Sequence, residues 1–101
     1  MKPGPTVVVV DDDEPFRQVL AGELARLKFH VVTFGTGEAL LRAVADIEPE
    51  VILLALRLPD MSGLDVLKVL TERHPATDVI MLTGHGSIDT AIESIKMGAF
   101  D

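Results

Sequence analysis

Thr6–Glu14 reads TVVVVDDDE, four consecutive valines running directly into three consecutive aspartates. Four β-branched apolar residues in a row predict a strand buried on both faces, as in a parallel sheet. Such a strand delivers Asp11, Asp12 and Asp13 to one edge of the sheet. Like charges this close repel, so a cation or a helix N-terminus must offset their field. In open α/β sheets, ligands bind outside the carboxyl ends of the strands. The acidic edge is therefore the expected site, and the remaining segments its walls.

A length of 101 residues, with 48% hydrophobic and 25% charged residues, suits one domain with one ordinary core. The formal net charge is −7 and no lysine or arginine cluster occurs, which argues against direct nucleic-acid contact. Cysteine is absent, so thiol catalysis, disulfides and thiolate zinc sites are excluded. The opening MKPGPT is too polar and proline-rich for a signal peptide, and no apolar run reaches membrane-spanning length. These features predict a cytoplasmic module that does not engage a membrane.

Outward from the first strand, strand-like and helix-like segments alternate. Pro15 suits a first helical turn capped by Asp13 or Glu14, with Phe16, Val19, Leu20, Leu24 and Leu27 at helical spacing. HVVTF (residues 30–34) predicts a second strand, ended by Gly35. Thr36 can cap a helix whose apolar face is Leu40, Ala43, Val44 and Ile47. VILLA (residues 51–55) predicts a third buried strand. Ser62 and Asp65 are spaced as a capping box for a helix carrying Leu64, Leu67 and Leu70, which stops before Pro75. VIML (residues 79–82) predicts a fourth buried strand, and Ser87 opens a last helix with Ile88, Ala91, Ile92 and Ile95 inward, closed by Gly98. Four strands and four helices in strict alternation predict an α/β fold with a parallel sheet and right-handed crossovers.

The ends of the first, third and fourth strands, at Asp11–Asp13, Ala55 and Thr83, would then share one edge. Carboxylates with nearby carbonyls make a hard-oxygen site suited to Mg²⁺. Capping of the following helix would occupy one or two of the aspartates, but three in series exceed what a cap requires. Thr83 alone is an ordinary strand-ending β-former; beside a metal and a phosphoryl group its hydroxyl could donate to a phosphate oxygen. His85 sits in a Gly-flanked loop, where a solvent-facing turn residue is expected, and His30, His74 and His85 show no metal-ligand spacing.

VVVVDDDE, then VILLALRLPDMSGLDVL, then VIMLTGHGSIDTAIESIKMGAFD resembles the receiver domain of bacterial two-component response regulators. The resemblance covers essentially the whole chain (residues 1–101 as one receiver domain) and is strongest to CheY-like receivers of DNA-binding transcriptional activators, including the nitrogen-regulation type. It implies a flavodoxin-like doubly wound sheet, order 2-1-3-4 in this chain. It also implies roles by position. Asp11 and Asp12 match the acidic pair that holds Mg²⁺, and the backbone carbonyl of Arg57 matches the main-chain ligand. Pro59 and Gly63 match loop residues beside the site, and Thr83 matches the switch hydroxyl. The partners implied are a sensor histidine kinase and an output domain, expected to bind DNA, outside this chain.

Two departures stand out. The family's phosphoryl acceptor is an aspartate ending the third strand, and here that position is Ala55. Alanine offers neither nucleophile nor metal ligand, so aspartyl-phosphate chemistry at this position is excluded and Mg²⁺ binding is expected to weaken. Retention of the other motif residues points to a replacement made by design. The family also continues into a fifth strand carrying a lysine and a fifth helix, whereas this chain stops at Asp101. An incomplete sheet would leave Val79–Leu82 as an exposed apolar edge, and self-association is expected. The competing readings are a pseudo-receiver acting by partner contact alone, and a Mg²⁺-dependent phosphatase of haloacid-dehalogenase type. The latter wants a threonine shortly after the two aspartates, where Glu14 and Pro15 stand. No enzymatic turnover is expected.

Overall fold

A computed structural model describes residues 4–82. In chain order the elements are β1 (Thr6–Val10), α1 (Glu14–Arg26), β2 (His30–Phe34), α2 (Gly37–Ile47), β3 (Val51–Ala55), α3 (Gly63–Arg73) and β4 (Asp78–Leu82). The strands form one parallel sheet in the order β2-β1-β3-β4. This is the expected flavodoxin-like arrangement, with three helices among the described residues. The expected fourth helix, with Ser87, Ile88, Ala91, Ile92, Ile95 and Gly98, lies outside them, as do Thr83 and His85.

The central position of β1 follows from its composition. All five of its residues are buried, because strands flank it on both sides and helices cover both faces. Alternation along the strands divides the core in two. Val7, Val9, Val51, Leu53 and Leu82 pack with Phe16, Leu20 and Leu24 of α1. Val8, Val10, Ile52 and Leu54 pack with Leu40 and Val44 of α2 and Val66 and Leu70 of α3.

Each of the three described helices starts on a side chain expected to cap it. Asp13 accepts from the Phe16 amide at 3.0 Å, Thr36 from Ala39 at 3.1 Å and Ser62 from Leu64 at 3.1 Å. At Ser62 the cap takes the Leu64 amide rather than that of Asp65, so the box spacing is used only in part. The end of α1 is a Schellman turn: Lys28 adopts φ 74°, its amide donates to Ala25 O and the Phe29 amide to Leu24 O.

Three expectations need correction. Val19 is 55% exposed and Leu27 also faces solvent, so the buried face of α1 is the narrower Phe16, Leu20 and Leu24 stripe. Leu64 is 57% exposed because α3 rests on the sheet through Val66 and Leu70. β4 starts at Asp78 and only Leu82 is buried; Val79, Ile80 and Met81 are half-buried, so this last strand of the described sheet is not buried throughout.

Candidate functional site

The register assembles the expected edge. Val10 lies opposite Leu54 and Ala55 opposite Leu82, so Asp11 follows β1 where Ala55 ends β3. Ala55 is buried, with 6% of its surface exposed. No helix among the described residues is long and apolar enough to cross a membrane.

The three aspartates occupy three different environments. Asp11 is buried, its amide donates to Phe34 O at 3.1 Å and its Oδ1 accepts the Asp13 amide at 2.9 Å. Asp12 is exposed at the apex of the loop. Asp13 spends its Oδ1 on the amino end of α1. The repulsion anticipated between them is thus relieved by backbone dipoles at Asp11 and Asp13 and by water at Asp12.

A cation also attends the cluster, by an unexpected route. Arg17, one turn into α1, donates from Nη1 to the Asp11 carbonyl at 2.6 Å rather than to a carboxylate. Gly35 leaves room for it, since a Cβ there would stand 3.3 Å from Arg17 Nη1. The Arg17 Nε is buried without a hydrogen-bond partner. Arg17 therefore ties the acidic loop to α1 and brings positive charge near it through the Asp11 backbone carbonyl.

On the other side of Ala55, residues 56–62 form a closed turn. Arg57 and Ser62 form an antiparallel bridge, and the Gly63 amide donates to Leu56 O at 2.8 Å. Gly63 is buried against the chain at position 55: a Cβ on it would lie 2.0 Å from the Ala55 carbonyl oxygen. Only glycine permits that approach. Arg57 and Pro59 are exposed in the turn.

Asp60, in the same turn, was not anticipated. Its Oδ1 accepts the Gly37 amide at 3.0 Å and its Oδ2 the Glu38 amide at 2.8 Å, across the sheet edge at the start of α2. These bonds, Glu38's first, hold its carboxyl below the usual carboxylate range. The sequence signals were an acidic residue after a proline for Asp60 and an arginine one turn past the aspartates for Arg17. Neither signal names a partner, and Gly37 lies 23 residues from Asp60.

The donors expected for a divalent cation are the Asp11 and Asp12 carboxylates and the Arg57 carbonyl. All are hard oxygens, as Mg²⁺ prefers. Among the described residues, however, no three Asp, Glu, His or Cys side chains are grouped to hold a metal. Ala55, buried at the end of β3, supplies no carboxylate to that set. The residues present thus fit only part of a Mg²⁺ site. A groove of about 470 Å³ lined by Glu48, Pro49, Glu50, His74 and Thr77 includes none of these residues.

A buried aspartate beside the end of β3, a glycine-dependent turn after it and a parallel sheet in the order β2-β1-β3-β4 together define a receiver-type fold. The family described as "Response regulator receiver domain" matches residues 7–101, and the chain belongs to it. It is 42% identical over 95 residues to the DNA-binding transcriptional regulator NtrC of Escherichia coli K12, covering 94% of this chain and 20% of that protein. It is 39% identical over 93 residues to the regulatory protein LuxO of Vibrio cholerae, covering 92% and 20%. Among solved structures, the receiver domain of NtrX from Brucella abortus superposes with a TM-score of 0.74 at 33% identity, covering 94% of this chain and 81% of that one. A receiver domain protein from Clostridium thermocellum gives 0.75 at 29%, covering 93% and 76%. The chain spans about one fifth of the length of the curated relatives it matches.

Proposed function

We propose that this receiver domain cannot take up a phosphoryl group at its acceptor position, and that any signal it carries passes through contacts with its partners. The observation that carries the reading is Ala55, at the carboxyl end of β3 beside buried Asp11. Phosphoryl transfer to a receiver requires a carboxylate oxygen to attack phosphorus while the bond to the donor histidine breaks. A methyl group has no electron pair to offer. Asp11 and Asp12 remain as the acidic pair, Arg57 contributes its carbonyl, Pro59 and Gly63 shape the turn, and Thr83 is the switch hydroxyl.

On this reading Mg²⁺ binds more weakly than in a receiver with the acceptor carboxylate, because one anionic donor is missing. The partners are a sensor histidine kinase and an output domain that binds DNA, by likeness to the transcriptional regulators above. The chain acts as a cytoplasmic signalling module rather than an enzyme, and an aryl phosphate should not be turned over. Self-association through β4 is supported by its place at the edge of the described sheet with Val79, Ile80 and Met81 half-buried. Light scattering that finds a monomer at all concentrations would remove that part.

Treatment with acetyl phosphate and Mg²⁺, followed by intact mass, tests the central claim. The expected result is no added phosphoryl group on this chain and one added group on Ala55→Asp. A stoichiometric phosphoryl group on the parent chain would overturn it.

A further inference from the structure

Asp60 makes a connection between two parts of the fold that capping alone does not require. The first three residues of α2, Gly37, Glu38 and Ala39, start with unsatisfied amides. Thr36, the local cap, takes only that of Ala39. The Gly37 and Glu38 amides go to the two oxygens of one carboxylate in the turn after β3. Gly37 is buried while Glu38 is exposed, so the carboxylate satisfies an amide shielded from water and at the same time ties the start of α2 to a turn 23 residues away.

Packing at the same point repeats the connection. Gly37 is buried, and a Cβ on it would stand 2.7 Å from Met61 Cγ and Sδ and 2.9 Å from Val66 Cγ2. Consecutive turn residues, Asp60 by hydrogen bond and Met61 by contact, therefore both seat on the first residue of α2. The other end of the turn is anchored on β3 through Gly63, whose amide binds Leu56 O and whose α-carbon abuts the Ala55 carbonyl. The contacts run without a gap from the start of α2 to position 55 and to Arg57.

We propose that Asp60 is a positioning residue that clasps the amino end of α2 to the turn 56–62, so that α2 and the phosphoryl-site turn shift as one unit. A partner that displaces the start of α2 then alters the presentation of the Arg57 carbonyl and the backbone at Ala55, and occupancy of the site is felt at α2. The device rests on the reading of 56–62 as the turn of the receiver site. It does not rest on whether position 55 can be phosphorylated.

Amide hydrogen exchange followed by NMR on the full chain, without metal or phosphoryl donor, measures the coupling directly. The reporters are the Gly63 amide in the turn, the Ala39 amide in α2 and the Leu53 amide for global opening. In Asp60→Ala the Gly63 amide should exchange at least about fivefold faster, with Leu53 unchanged. Thr36→Ala removes only the local cap, so Ala39 should accelerate while Gly63 keeps its parent rate. Asp60→Asn retains one acceptor oxygen and should fall between the parent and Asp60→Ala. Equal Gly63 rates in the parent and Asp60→Ala, or equal acceleration in Thr36→Ala, would overturn the clasp. Failure of the acceptor reading would appear instead as a phosphorylated parent chain and would leave these rates unaffected.

Discussion

Gly63 and Ala55 meet backbone to backbone: a Cβ added to Gly63 would stand 2.0 Å from the Ala55 carbonyl oxygen. Neither group is the flexible end of a side chain, so a larger residue at 63 must move the turn off the end of β3. Gly63→Ala should therefore destabilise the fold by about 1–3 kcal/mol. The urea unfolding midpoint checks this, and an unchanged midpoint would show that the turn yields freely.

The two neighbours Asp12 and Asp13 should separate cleanly in a stability measurement. Asp13 holds the Phe16 amide at the start of α1, whereas Asp12 is exposed. Asp13→Ala should cost about 1 kcal/mol. Asp12→Ala should stay within about 0.5 kcal/mol of the parent. Thermal or urea unfolding of the two variants side by side decides; equal losses would contradict the division of roles.

Restoring a carboxylate at position 55 should have opposite consequences with and without a divalent cation. Ala55 is buried and Asp11, one residue past β1, is buried beside it. In the absence of metal, Ala55→Asp adds a buried negative charge to an already acidic edge and should destabilise the chain by about 1–3 kcal/mol. Millimolar Mg²⁺ should raise the unfolding midpoint of Ala55→Asp more than that of the parent, because binding to the folded form alone stabilises it. Equal Mg²⁺ responses would show that residue 55 contributes nothing to the metal.

Arg17 should matter through its carbonyl contact. Arg17→Met keeps much of the apolar stem but leaves the Asp11 carbonyl without its charged donor. A loss of about 1–2 kcal/mol is expected. The Cβ of Gly35→Ala would stand 3.3 Å from Arg17 Nη1 without removing its bond to the Asp11 carbonyl, and the change should be milder. Urea unfolding ranks the two, and the reverse order would remove Arg17 from its place in the acidic loop.

The pH dependence of stability should carry the mark of Asp60. Its carboxyl is held below the ordinary 3.8 in the fold by the Glu38 and Gly37 amides, so the unfolded chain binds that proton more tightly. The stabilisation is present above 3.8 and is lost as the pH falls through the lower folded value. Asp60→Asn does not titrate there. The stability advantage of the parent over Asp60→Asn should therefore shrink as the pH drops below 3.8, and more added salt should reduce it at neutral pH. A constant difference across that range would contradict the assignment.

Much of the fold was legible in advance because strand burial is written locally. HVVTF and VILLA begin and end where expected, since a continuous β-branched or apolar run bounded by glycine or proline admits few alternatives. Helix faces were less legible. Val19 and Leu64 sit at helical spacing with buried residues yet face solvent, because spacing defines a stripe but not which edge of it meets the sheet. Motif order placed Asp11 after β1, Ala55 at the end of β3 and Gly63 at the start of α3, where the structure has them.

By itself, then, the sequence determined the parallel sheet, its carboxyl edge and the absence of a nucleophile at Ala55, because these depend on residue type and short-range pattern. Tertiary structure decided how the acidic trio is tolerated and how the site turn is held. Asp11, Asp12 and Asp13 are chemically identical in the chain and become a buried amide acceptor, an exposed carboxylate and a helix cap only when the backbone turns around them. Asp60 finds Gly37 and Glu38 only because the chain crossovers bring the turn after β3 and the start of α2 to one edge. Such contacts depend on distances between segments far apart in the chain, which no local pattern encodes.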